Sequence, residues 1–131
     1  MKIVELNHVA IHVKDVEASG KFYREVLQLE ALPRPAFNFP GAWFRLGVGQ
    51  ELHLIGDRGQ PVASHRQGNH FALRAEDLDA WESHFKRIGF GPILRKLRPD
   101  GAGQIFLEDP DGHVIELCSQ PPTRNQDAKA S

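Results

Sequence analysis

The strongest constraint on this chain is that it copies itself. Laid over residues 69–80 at a shift of 62, residues 7–18 give five identities in twelve columns, and self-similarity at a fixed offset is the mark of repeated structural units. Asn7 meets Asn69, His8 meets His70, Ala10 meets Ala72, Asp15 meets Asp77 and Ala18 meets Ala80. Val9, Ile11 and Val16 meet the apolar Phe71, Leu73 and Leu78. At a shift of 63 the ends of the halves match too: Gly49 with Gly112, Leu52 with Ile115, Leu54 with Leu117, and His53 with Glu116. One inserted residue accounts for the change of shift.

Each half reads as a strand, a helix and three strands. Alternation gives way to helical spacing after an aspartate and returns after a turn bearing glycine or proline. Asp15 and Asp77 are the expected N-caps. Ala18, Phe22, Tyr23, Val26 and Leu27 supply the apolar stripe of the first helix; Leu78, Trp81, Phe85 and Ile88 supply that of the second, with Gly89 just past its end. The class is therefore α+β. It comprises two βαβββ modules, about residues 3–56 and 68–119, within one domain spanning 1–119. The polar segment 56–68 joins them, and residues 120–131 are a polar tail expected to be disordered.

At 131 residues the chain has room for one core. Sixteen basic against seventeen acidic side chains give no electrostatic reason to expect nucleic acid or an anionic bilayer, so a small-molecule partner is expected. A lone cysteine, Cys118, excludes an intramolecular disulfide and fits a reducing compartment. The alternating N-terminus does not read as a signal peptide and no segment reads as a membrane span. A cytoplasmic protein is the expectation.

Strand parity then locates the chemistry. If Val9, Ile11 and Val13 pack under the helix, His8, Ala10 and His12 face the other way. The same rule turns His70, Ala72 and Arg74 away from Phe71 and Leu73, His53 away from Leu52 and Leu54, and Glu116 away from Ile115 and Leu117. Four donors thus occupy duplicate positions. Three imidazoles and a carboxylate suit zinc, nickel, iron(II), cobalt or manganese and suit calcium or magnesium poorly. Parity also turns Trp43, Arg45, Phe106 and Glu108 to that face, where they and Arg74 are candidates to shape a substrate pocket; Arg45 and Arg74 fit a carboxylate or phosphate. His65, His84 and His113 read as surface residues, and Cys118 reads as a small buried filler.

The segments LNHVAIHVKDVEASGKFYREVLQL, GNHFALRAEDLDAW and FLEDPDGHVIEL resemble the vicinal oxygen chelate superfamily, which includes glyoxalases, bleomycin resistance proteins and extradiol dioxygenases. The likeness covers residues 4–119. It implies an eight-stranded, partly closed curved sheet around a metal-centred cavity, with the helices outside. His8, His70 and Glu116 match the family's ligand positions, and ELHLI places His53 where the family usually has glutamate or glutamine. The resemblance implies a glyoxalase-like lyase or an epimerase-like isomerase. Its substrate presents adjacent oxygens to one divalent ion, and Glu116, with His53 as a ligand or base, moves the proton.

Two alternatives stay open. One is an iron(II) extradiol-type dioxygenase, although the tyrosine usual shortly before the last-strand glutamate is absent. The other is a fosfomycin- or bleomycin-type resistance protein, although Ala10 stands where the fosfomycin enzymes carry threonine. A homodimer is expected, and the metal site is completed either within one chain or by exchange between two.

Overall fold

The computed structural model describes residues 1–122; the expected tail, beyond its first three residues, lies outside the described residues. The first repeat gives β1 (His8–His12), α1 (Val16–Glu25), β2 (Ala31–Leu32), β3 (Gly41–Leu46) and β4 (Gln50–Ile55). The second gives β5 (Phe71–Arg74), α2 (Leu78–Arg87), β6 (Leu94–Leu97), β7 (Gly103–Glu108) and β8 (Val114–Cys118). The α+β class and the βαβββ order are both present. The eight strands form two sheets of four, ordered β1-β4-β3-β2 and β5-β8-β7-β6. By internal contact the chain divides into Met1–His65 with Glu108–His113, and Arg66–Leu107 with the chain from Val114. Among the described residues no helix is long and apolar enough to cross a membrane.

In the first unit the Asp15 carboxylate accepts the N–H groups of Glu17 and Ala18 at 3.0 and 3.1 Å, satisfying donors that the first helical turn leaves unpaired. The buried face of α1 departs from the expected stripe. Ser19 and Gly20 join Phe22, Tyr23 and Leu27 in the interior, while Ala18 is exposed. Ser19 is drawn inward because its hydroxyl donates to Asp111 at 3.2 Å, a partner remote in sequence that local periodicity does not register. Beneath the helix, Phe44, Leu52 and Leu54 are almost inaccessible, each such side chain contributing about 1.5–3 kcal/mol. Strand β1 runs parallel to β4, pairing Ala10 with His53, and β3 runs antiparallel to β4, pairing Trp43 with His53.

The second unit repeats this register. Parallel β5 and β8 pair Ala72 with Glu116, so the offsets of 62 and 63 seen in the sequence are also offsets of backbone pairing. Asp77 accepts the Ala80 N–H at 3.0 Å, and Gly89, at φ +70, follows the C-cap Ile88, where the left-handed conformation favours glycine. Leu78 and Phe85 are buried as expected, but Ile88 is 44% exposed and His84 is buried. Ile88 lies past the last helical residue, where the 3.6-residue period no longer sets its direction. His84 instead meets Trp81 edge-on at 5.7 Å. Residues Val114, Ile115, Glu116 and Leu117 are all buried, because β8 has a strand on either side and is covered on both faces; the alternation expected there is absent.

The DPDGH turn, although it connects β7 to β8 in sequence, groups with the first unit. Asp109 Oδ1 accepts the N–H groups of Asp111 and His113, both at 2.9 Å, and Gly112 takes φ +89, which a side chain would resist. Asp109 Oδ2 accepts the hydroxyl of fully buried Tyr23 at 2.8 Å. Asp111 accepts the Lys14 N–H at 2.8 Å and Arg58 Nε at 3.0 Å. His113 Nε2 donates to the His12 carbonyl at 2.8 Å, so this histidine is a tether rather than a free surface residue.

Burial, then the Asp109 carboxylate, push the Tyr23 phenol far above the ordinary tyrosine range. A raised pKa in the folded state stabilises below the free tyrosine value of about 10 and loses that stabilisation as pH rises beyond it. Tyr23→Phe is expected to cost about 1.5–3 kcal/mol at neutral pH, as a hydrogen bond to a buried charge is lost. It should also flatten the fall in melting temperature between pH 9 and 11. Thermal unfolding across that range checks both effects.

Candidate active site

The repeated register presents His53 beside Ala10 and Glu116 beside Ala72. Alanine adds only a methyl group to this face, leaving room for the larger side chains. In the first unit three rings lie in a stack. Trp43 covers His53 with centroids 4.0 Å apart and planes within 4°, and His53 covers His8 at 4.3 Å and 18°. His53 is half-buried and His8 exposed. In the second unit, Glu116 is only 5% exposed and its Oε1 accepts from Gln104 Nε2. His70, just before β5, meets the edge of buried Phe106 at 5.9 Å.

Each imidazole has one nitrogen committed to an oxygen. His8 Nδ1 lies 2.8 Å from Asn7 Oδ1, His53 Nε2 lies 2.9 Å from Glu51 Oε1, and His70 Nδ1 lies 3.1 Å from the Gly68 carbonyl. An amide or backbone oxygen only accepts, and so does an ionised carboxylate, so the committed nitrogen is the protonated one in each ring. In the neutral form of each ring the remaining nitrogens, Nε2 of His8 and His70 and Nδ1 of His53, carry the lone pairs. This is the arrangement that fixes a metal-binding tautomer, and the donor chemistry suits a borderline divalent ion.

The side-chain conformations limit which donors act together. Among the described residues no three His, Cys, Asp or Glu side chains form a group able to hold a cation; of the four expected donors, His8 and His53 belong to the first unit and His70 and Glu116 to the second. Within the first pair, a ligated ion lies in the ring plane of each imidazole about 2.1 Å from its nitrogen. The His8 and His53 planes are stacked and nearly parallel, so they do not meet at such a point. As they stand, the two rings do not chelate a common ion. Joint ligation requires one ring to turn.

The other expected residues are distributed as follows. Trp43 stands on the expected face, against His53. Arg45 is half-exposed and pairs with Glu30 at 2.9 Å. Arg74 is exposed at the end of β5 beside Cys118. Phe106 contacts His70, whereas exposed Glu108 falls in the other unit. His12 Nε2 donates to the Gly56 carbonyl at 3.0 Å. Cys118, expected to be a buried filler, is only partly buried; burial, and then the neighbouring Glu116 carboxylate, push its thiol up.

Two polar residues escaped sequence reasoning. Glu51, two residues before His53 on the same strand, was within reach of the parity rule. Gln104 was too, since it shares the parity of Phe106 and Glu108 on β7, although only the pairing of sheet neighbours shows that it meets Glu116. Removing the Gln104 amide leaves a buried carboxylate short of a donor, so Gln104→Ala is expected to lower stability by about 1–3 kcal/mol. Denaturant unfolding at neutral pH tests this. Glu116→Leu in the same background should recover much of the loss, because no buried charge then remains.

Comparison with known proteins bears on the family and the fold. The profile of the Glyoxalase/Bleomycin resistance protein/Dioxygenase superfamily matches residues 5–117. The chain is 29% identical over 127 residues to Glyoxylase I 4 of Arabidopsis thaliana, covering 91% of this chain and 72% of that protein. It is 26% identical over 132 residues to lactoylglutathione lyase of Haemophilus influenzae, covering 93% and 97%. It is also 26% identical over 121 residues to metallothiol transferase FosB of Bacillus licheniformis, covering 88% and 75%. A crystal structure of a Bacillus anthracis glyoxalase family protein shares the fold with a TM-score of 0.80 at 24% identity, over 92% of this chain and 98% of that one. With the profile spanning nearly all of the described residues, the chain belongs to the Glyoxalase/Bleomycin resistance protein/Dioxygenase superfamily.

Proposed function

We propose that the protein is a divalent-metal-dependent enzyme acting on a small substrate with adjacent oxygens, by lyase or isomerase chemistry that moves a proton at the neighbouring carbon. The observation that carries this reading is the state of the donors. Three imidazoles each hold one ring nitrogen against an oxygen, which leaves the lone pair of the neutral ring on the other nitrogen, and Glu116 stands in the register position that duplicates His53. A zinc, nickel, iron(II), cobalt or manganese ion bound there would polarise the substrate oxygens as a Lewis acid.

In this reading His8, His70 and Glu116 are ligands. His53 is a fourth ligand if its ring turns from the stack, and a base if it does not. The stack favours the base: Glu51 holds the Nε2 proton, Nδ1 keeps its lone pair, and Trp43 shields one face of the ring from water. Glu116 is the other proton carrier, with Gln104 orienting its carboxylate. The lyase and isomerase classes draw support from relatives named lactoylglutathione lyase and, at 29% identity over 127 residues, human mitochondrial methylmalonyl-CoA epimerase. The relative named metallothiol transferase keeps thiol addition to fosfomycin as the second activity to assay. A cytoplasmic homodimer belongs to the same proposal.

Elemental analysis of the purified protein is expected to find about one transition-metal ion per chain, lost in His70→Ala and Glu116→Ala. Three reactions would be assayed on the loaded protein: isomerisation of the methylglyoxal–glutathione hemithioacetal, solvent-deuterium exchange into methylmalonyl-CoA, and thiol addition to fosfomycin. Glu116→Gln should slow proton exchange by roughly 10²- to 10⁴-fold with the ion retained. Exchange unaffected by both Glu116→Gln and His53→Ala would defeat the proton-transfer reading.

A further inference from the structure

The loop at residues 33–40, between β2 and β3, holds an arginine that the metal chemistry does not use. The guanidinium carbon of Arg34 lies 4.8 Å from the ring centroid of Phe37 and 4.8 Å from that of Phe39, and the two rings stack at 5.1 Å. Arg34 Nη2 donates to the Phe39 carbonyl at 2.9 Å. The group rests on the bare face of Gly41, where an added Cβ would stand 2.8 Å from both Nε and Nη2 and 2.5 Å from the Leu54 carbonyl oxygen. The charge is therefore clasped by aromatic rings, a backbone carbonyl and a glycine.

It is clasped without a counter-ion. Arg45, Arg58, Arg95 and Arg98 each pair with a carboxylate, whereas among the described residues none pairs with Arg34. Its Nε is buried and lacks a hydrogen-bond partner. Holding a partly desolvated cation in this way costs stability unless an anion is meant to meet it. The adjoining rings are exposed. Phe37 is 46% exposed and lies 6.1 Å from Trp43, which in turn covers His53. A continuous line of contacts runs from the arginine to the histidine pair.

We propose that Arg34, Phe37 and Trp43 form a recognition subsite for an organic anion carrying a planar apolar group. The carboxylate or other oxyanion pairs with the guanidinium on the side turned away from Gly41, and the planar group lies along Phe37 and Trp43, directed towards His53. The planar fork of arginine suits an oxyanion, and the ring faces suit a planar partner. This subsite deepens the proposed function by naming a substrate class, and it rests on the reading that His8 and His53 mark the reacting end.

Trp43 and Trp81 are the two tryptophans, so Trp81→Phe leaves Trp43 as the sole reporter. Fluorescence titrations would use phenylacetate, its neutral amide and acetate, with the protein as purified and again after EDTA. Phenylacetate is expected to quench Trp43 and to bind roughly tenfold more tightly than phenylacetamide, with or without EDTA. Arg34→Gln should bring the two within about twofold without changing the amide, Phe37→Ala should weaken both, and acetate should not quench. Arg34→Lys, which keeps the charge but loses the fork, should fall between.

A preference for phenylacetate that survives Arg34→Gln overturns the subsite. If that surviving preference disappears with EDTA, the carboxylate sits on the metal, and only the subsite fails. An Arg34-dependent preference in protein that, as purified and before any EDTA, holds no metal leaves the subsite standing and defeats the metal reading instead. Should Arg34→Gln not fold, as judged by circular dichroism, the Arg34→Lys and Phe37→Ala titrations decide; no weakening in either overturns the subsite.

Discussion

Parallel pairing of the first and last strand in each βαβββ unit is the constraint from which the candidate site follows. β1 lies beside β4 and β5 beside β8, and because side chains alternate at a period of two, a slip of one residue would send His53 and Glu116 into the core and Leu52 and Ile115 out of it. Burial of Leu52, Leu54, Ile115 and Leu117 makes that slip expensive in both units. The apolar residues thus hold the register, and the register presents the polar ones.

The turn at Glu108–His113 shows carboxylates used for a different purpose. Asp109 and Asp111 accept backbone N–H groups, a phenol, a serine hydroxyl and a guanidinium, so their charges are met by donors on several sides and serve the fold. Glu116, a few residues later and equally hidden, receives one amide hydrogen bond from Gln104. A buried carboxylate with acceptor capacity to spare is suited to a cation or a mobile proton. The same residue class is thus met by many donors in one setting and by the Gln104 amide in the other, which is why the proposed chemistry falls to Glu116 and not to the aspartates.

The repeat made much of this legible. Both helices begin at the aspartates that the sequence marks, and Ala10, Trp43 and His53 lie on the face that parity assigns. Parity misjudged burial where its premise of one wet face does not hold, as in β8, and where a remote partner pulls a residue inward, as Asp111 does to Ser19. It gave no sign of the setting of Arg34, since a loop residue between two prolines has no periodicity to read, nor of the ion pair between Arg45 and Glu30.

What the sequence determined by itself was local and repetitive: the βαβββ order, the caps, and which side chains share a face, all consequences of backbone periods of 2.0 and 3.6 residues. Tertiary structure decided which of those side chains meet. The stacking of Trp43, His53 and His8, the hydrogen bond from Gln104 to Glu116, and the seating of Arg34 against Phe37, Phe39 and Gly41 depend on strand neighbours and loop closure. A backbone period of 2.0 or 3.6 residues encodes neither how a loop closes nor which strands become neighbours.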